Sequence, residues 1–467
     1  MDRVPSPRVK LPDPVPGWDA LRAELGVPEE FPAEVLEAAE QTVPSLTGED
    51  LRGVPFLTID PLGSVDLDQA MALSRSGDGY LIQYAIADVA AFVPPGGPVD
   101  REAHRRGETL YAPDRRSPLH PPVLSEDRAS LLPDQDRPAA VWELELDKDA
   151  GLRRTRVRRS VVRSRRRLDY GVVQQQIDDG TATPDLLLLK EIGLLRQKAA
   201  RARGAVDLPT PEQEVDDQGH VTFRAQLPAE GWNAQISLLT GMAAAKLMID
   251  GRIGLLRTLP VPPHDAVASL RRSARALGVA WPDGTPYGDV ISGLDPHQPA
   301  QAAVLSLATR LLRGAAYTAF DGELPEQPLH SAVAAPYAHC TAPLRRLADR
   351  YVQEVCLALC AGAPVPEWVR TALPTLPEEM AAADHKAHAL DRAVVDLAEA
   401  TALAHRVGEQ FAAVVVETNH KGGTVQLTDP AVRGKLDAAD PPLGKQVTVR
   451  LEQADPVTRA VRFQLVP

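Results

Sequence analysis

Between Arg153 and Arg167 the chain carries nine arginines, with Val157, Val161 and Val162 among them, in the run GLRRTRVRRSVVRSRRRLDY. An extended strand with one basic face fits this pattern best. Strand signals also precede it, in short apolar runs broken by glycine and proline: PFLTID, YLIQYAIADVAAFV and AAVWELELD. Helical patterns follow it, through LLLLKEIGLLRQKAARARG and ISLLTGMAAAKLMID, and the middle of the chain, from about 185 to 405, is mostly helical. It ends in PEEMAAADHKAHALDRAVVDLAEATALAHRV, which Gly408 is expected to stop. The remaining residues alternate apolar and polar, with turns at Gly422-Gly423 and Asp455-Pro456, and predict a small β-barrel. The expected class is therefore α+β, with a mixed sheet and helices followed by a barrel.

Length divides this chain further. At 467 residues it has room for about three domains. We expect a short helical N-terminal segment at 1–50, a large domain at 51–405 and the barrel at 406–467. The first segment opens proline-rich and then offers two helix candidates, WDALRAEL and PAEVLEAAEQ, which make either a packing hairpin or a helix-turn-helix-like pair. With 43 prolines and 32 glycines the chain falls below the roughly 25–30% that marks low complexity, so it should fold. Its net charge of −12 argues, taken alone, against binding nucleic acid by bulk charge. Cys340, Cys356 and Cys360 are too few for a disulfide framework and read as core thiols in a reducing compartment, the cytoplasm by default. No apolar run reaches the roughly 18 residues of a membrane helix, and the N-terminus is unlike a signal peptide.

The most informative residues run from Asp60 to Asp68, directly after the apolar strand FLTI. Asp66 and Asp68 are two apart and face the same way in an extended segment, while Pro61 and Gly63 let the loop bring Asp60 back toward them. Converging carboxylates are a hard-oxygen ligand set of the kind Mg²⁺ prefers, and one or two such ions support phosphoryl transfer. A solvated acidic turn accounts for the loop equally well on its own residues. Arg345 and Arg346 follow a proline near a helix start, where guanidinium and backbone N–H donors together suit a phosphate.

These motifs together resemble the ribonuclease II/R family of exoribonucleases, built on an RNB catalytic domain. TIDPLGSVDLDQA is similar to the family's acidic motif, and RGETLYAPDRRSPLHPPVLSEDRASLLP to its next block. SRRRLDY, ARARGAVDLPTPEQEV and YAHCTAPLRRLADRYV resemble three later blocks, and the terminal barrel the family's RNA-binding OB-fold domain. The resemblance implies that Asp60, Asp66 and Asp68 hold Mg²⁺, one ion or two, with Asp68 the most critical carboxylate. It implies that Tyr111 and Tyr170 contact the 3′-terminal nucleotides, that Arg345 grips the scissile phosphate with Arg346 beside it, and that the arginines of 153–167 line an RNA channel. Lys421 and Lys445 are the barrel residues expected to meet RNA.

The implied activity is Mg²⁺-assisted 3′-to-5′ hydrolysis of single-stranded RNA with a free 3′ end, to nucleoside 5′-monophosphates, by a monomer. The alternative is an RNA-binding pseudoenzyme of the same fold. Gln69 stands where the family has a fourth aspartate, and Ser237 stands near the expected place of a missing glutamate. The family's two N-terminal cold-shock modules do not fit into the first 50 residues.

Overall fold

The computed structural model describes residues 9–10, 17–44, 46–208, 212–215, 220–224, 226–296, 298–419, 422–427 and 432–466. Most of the proline-rich start, part of the ARARGAVDLPTPEQEV block and Lys421 lie outside the described residues. Among the described residues no helix is long and apolar enough to cross a membrane.

The arginine-rich run is a single strand, Leu152–Asp169, and it organises a six-stranded sheet. Its first part pairs antiparallel with Asp136–Leu146, from Leu152 opposite Leu146 to Arg163 opposite Asp136. Its last part pairs parallel with Phe56–Asp60. Since Phe56–Asp60 continues through Gln69–Ser76 and Gly79–Ala87 to the same Asp136–Leu146, the long strand closes the sheet on itself. The turn into Gly79–Ala87 requires glycine: a Cβ on Gly79 would stand 1.9 Å from the Leu146 carbonyl oxygen.

Side chains alternate across a strand, so a sheet buried on both faces sorts its residues by parity. Ile82, Tyr84, Ile86, Ala140, Trp142 and Leu144 belong to one cluster, with Ile236, Leu239 and Met248 of the helix Pro228–Gly251 and Val352, Val355 and Cys356 of the helix Leu347–Ala361. Phe56, Ala85, Ala87, Ala139, Val141 and Val162 belong to another. Cys340 and Cys356 are buried and Cys360 partly so, none of them in a disulfide.

The two N-terminal helices join different parts of this body. Trp18 and Leu21 of Trp18–Glu24 pack on Leu390, Val394 and Leu397 of the long helix Leu376–Leu403, whereas Val35 and Ala39 of Ala33–Gln41 enter the second sheet cluster. The long helix ends at Leu403, ahead of the Gly408 expected to stop it. Its last residues, Ala400 and Leu403, plug the barrel and complete a core with Phe411, Val425, Leu451 and Phe463. The barrel is closed and five-stranded: Gln410–Asn419, Gly422–Leu427, Arg433–Asp437, Ala460–Leu465 and Gln446–Asp455, in that order around it. Lys445 is exposed on it.

Candidate active site

The parallel pairing of the arginine strand sets the site. It places Asp60 opposite Asp169, so Tyr170, the next residue, emerges at the same sheet end as the acidic loop. Asp169 caps the helix Tyr170–Asp178 by accepting the Val172 N–H at 2.9 Å, which fixes where Tyr170 starts. The acidic loop is pinned at Leu67, which is fully buried. The Leu67 N–H donates to Ser130 Oγ at 2.9 Å and its carbonyl accepts from Leu131 N–H at 3.0 Å. Asp66 and Asp68 flank that anchor and turn to different partners.

Asp68, 4% exposed, accepts the Leu344 N–H on Oδ1 at 2.7 Å and the Arg345 Nε on Oδ2 at 3.1 Å. Burial pushes its carboxyl up to about 7, against the pull of Arg345 and the Leu344 N–H. Asp66 accepts Arg116 Nη1 on Oδ1 at 3.0 Å and the Tyr111 hydroxyl on Oδ2 at 3.4 Å. Asp60 differs from both, because its Oδ2 is buried with no hydrogen-bond partner. Burial pushes its carboxyl up to about 6, with Asp66 adding repulsion and Arg345 and Arg167 opposing.

Arg345 is held by its backbone, whose carbonyl accepts the Thr109 N–H at 2.9 Å, and its side chain is half exposed. Only its Nε is paired among the described residues, which leaves the two Nη groups open. Arg346 differs: Nε and Nη2 form a bidentate pair with the fully buried Asp349 at 2.5 and 2.9 Å, and Asp349 also accepts the Ala342 N–H at 2.7 Å. Arg346 thus braces the loop that presents Arg345.

The two motif departures meet at one residue. Gln69 donates to the Thr341 carbonyl at 2.6 Å and accepts the Tyr84 hydroxyl, while Ser237 Oγ and Thr341 Oγ1 are 2.7 Å apart. Where the family motif has two acids, this chain builds a neutral hydrogen-bonded bridge through Thr341. Tyr111 is half exposed, its phenol held up by burial of the hydroxyl and by Asp66. Tyr170 accepts from Asn233 Nδ2 at 2.9 Å, and burial pushes its phenol up to about 12.

One expectation is corrected. The arginines of the long strand do not form an open basic wall, because most are neutralised by carboxylates brought in by the fold. Arg153 pairs with Asp78, Arg154 with Glu145, Arg158 with Glu49 and Glu143, and Arg159 with Asp88 and Glu354. Arg163 pairs with Asp136 and Arg166 with Asp185, and Arg165 donates to the Arg52 carbonyl. Arg167 is the exception nearest the site: it is exposed, has no carboxylate partner among the described residues, and acts on Asp60. Arg116, Thr341 and Asn233 were not singled out from sequence. Arg116 lies in a quoted block, and Asn233 lies one helical turn before Ser237.

Among the described residues no three His, Cys, Asp or Glu groups stand close enough to hold an ion by themselves. The donor set nonetheless suits a hard divalent cation that takes part of its shell from phosphate. Asp60 has an open buried oxygen, and Asp66 and Asp68 keep second lone pairs on oxygens that each accept one hydrogen bond.

Residues 48–361 match the RNB domain and residues 409–466 the RNase II-type exonuclease C-terminal S1 domain. Exosome complex exonuclease RRP44 homolog A of Arabidopsis thaliana is 30% identical over 332 residues, 66% of this chain and 35% of its own length. Ribonuclease R of Aquifex aeolicus is 28% identical over 446 residues, 89% of this chain and 62% of its own. This chain therefore spans less than two thirds of the length of these relatives. The solved RNase R of Mycoplasma genitalium in complex with ribose methylated single-stranded RNA has the same fold, with a TM-score of 0.86 at 18% identity over 96% of this chain and 77% of that one. So does yeast Ssd1, a pseudonuclease, with a TM-score of 0.70 at 17% identity over 94% and 54%.

Proposed function

The chain belongs to the ribonuclease II/R family, and from that premise we propose that it is a hydrolytic 3′-to-5′ exoribonuclease that degrades single-stranded RNA to nucleoside 5′-monophosphates. The observation that carries this reading is the Asp68–Arg345 pair: one hydrogen bond fixes a half-exposed guanidinium beside the acidic loop and leaves two nitrogens for a phosphate.

In this reading Arg345 places its Nη groups on the non-bridging oxygens of the scissile phosphate and stabilises the charge that grows there. Asp68 holds Arg345 in that pose. Arg346, engaged on Asp349, acts as a positioning residue for the same loop rather than through its own contact. Asp60 orients the attacking water with its open oxygen and accepts its proton, its carboxyl raised toward the pH at which a general base works. Asp60, Asp66 and Asp68 are the residues that would hold Mg²⁺, which when bound supplies Lewis acidity at phosphoryl oxygen and lowers the pKa of its water. Tyr111 and Tyr170 give the terminal nucleotides aromatic surfaces that accept any base. Arg167 adds a cation on the far side of Asp60.

The neutral bridge through Gln69, Thr341 and Ser237 favours a second reading, an RNA-binding pseudoenzyme. Both amide ends of Gln69 are occupied, so it does not replace a missing acid as a ligand. Incubation with a 5′-labelled oligoadenylate and Mg²⁺ separates the two: stepwise shortening from the 3′ end supports hydrolysis, and tight binding without shortening supports the pseudoenzyme.

A further inference from the structure

The helix Pro228–Gly251 turns one stripe toward the site. Ser237 meets Thr341, and Gly241 lies so close to the Tyr337 ring that a Cβ there would stand 2.2 Å from it. Residues four apart share a helix face, so Asn233 heads the same stripe. Its side chain is withdrawn from water, at 6% residual exposure, and its Nδ2 holds the Tyr170 hydroxyl. Its Oδ1 is buried and has no hydrogen-bond partner.

A buried amide oxygen without a donor is costly and uncommon. Here it lies one amide width from the nitrogen that holds Tyr170, whose phenol feels the charges of Asp60 and Arg345. A donor that arrives with a nucleotide would satisfy it. Asp60 and Arg345 mark the phosphate end, and the sugar is the unit joined directly to phosphate. A ribose hydroxyl is also the donor that every ribonucleotide shares, whereas a base amine is absent from uracil.

We propose that Asn233 Oδ1 accepts a hydrogen bond from the 2′-hydroxyl of the 3′-terminal nucleotide and is the group with which this chain distinguishes RNA from DNA at that position. This rests on the exoribonuclease reading for the direction in which the strand lies.

Fluorescence anisotropy in EDTA tests it without turnover, using a labelled decaadenylate and the same strand ending in one 2′-deoxyadenosine. The parent protein should prefer the ribose end by roughly tenfold, the scale of one hydrogen bond to a buried acceptor. Asn233→Leu should bring the ratio close to one. Asn233→Asp, which keeps an acceptor, should weaken both strands and preserve the ratio.

Equal weakening of both strands by Asn233→Leu, with the ratio intact, would make Asn233 a mere prop for Tyr170 and overturn the inference. A parent ratio near one would overturn it too, as would a ratio seen with decaadenylate and absent from decauridylate, which assigns the oxygen to a base amine. Binding of neither strand rejects the RNA reading and the inference together. Selective binding without hydrolysis rejects only the catalytic reading.

Discussion

Asp60→Asn should make the protein's stability less sensitive to pH, and the size follows from the environment of Asp60. Its carboxyl is pushed up from 3.8 to about 6, chiefly by burial. A raised acid binds its proton more tightly in the folded state, so its contribution is fully present below about pH 4 and is lost as pH rises through about 6. Integrated from pH 4 to pH 8, a shift of this size removes about 2 kcal/mol from the parent protein and nothing from the variant.

The amide that replaces the carboxyl is also buried, and its own desolvation cost is independent of pH. It therefore cancels when the variant-minus-parent difference at pH 4 is subtracted from that at pH 8. Urea unfolding at both pH values, in EDTA, measures this. The variant should gain about 2 kcal/mol on the parent between the two. A difference that does not change with pH, or one that changes in the opposite direction, would show that Asp60 is solvated or paired and would refute the argument from its open oxygen.

Arg345→Ala should lower kcat by about 10²–10³-fold, the loss expected when one donor to a developing oxyanion is removed, measured by single-turnover release of mononucleotide. Gln69→Asp shortens the side chain and breaks the donation to the Thr341 carbonyl, so it should cost about 1–3 kcal/mol by urea unfolding. If that variant also turns over RNA that the parent only binds, the pseudoenzyme reading holds. Tyr111→Ala removes a half-exposed aromatic face and should weaken oligoadenylate binding by about 1–3 kcal/mol by anisotropy, with little effect on the melting temperature.

The elements were readable where local pattern decides them. Alternation in GLRRTRVRRSVVRSRRRLDY predicted one strand, and the structure has it as Leu152–Asp169. The terminal alternation predicted a barrel, and the barrel closes. What pattern does not carry is which distant residues meet. Arg159 pairs with Asp88 and with Glu354, carboxylates 71 and 195 positions away, so an apparently open basic face is largely neutralised once folded.

Within the site, the TIDPLGSVDLDQA spacing put three aspartates in one loop. It did not reveal that Asp68 and Asp66 have both oxygens hydrogen bonded while Asp60 keeps one open. Those differences come from Leu344, Arg345, Tyr111 and Arg116, which lie on other segments. Asn233 was invisible for a similar reason, since a helix that is apolar on most sides does not announce which face meets the site.

The most direct test is product analysis on a 5′-labelled single-stranded oligoadenylate with Mg²⁺, for the parent and for Asp68→Asn. The account predicts a ladder shortening one nucleotide at a time from the 3′ end, with 5′-AMP released by the parent and little or none by the variant. Shortening by Asp68→Asn at the parent rate, or internal cleavage by the parent, would contradict it.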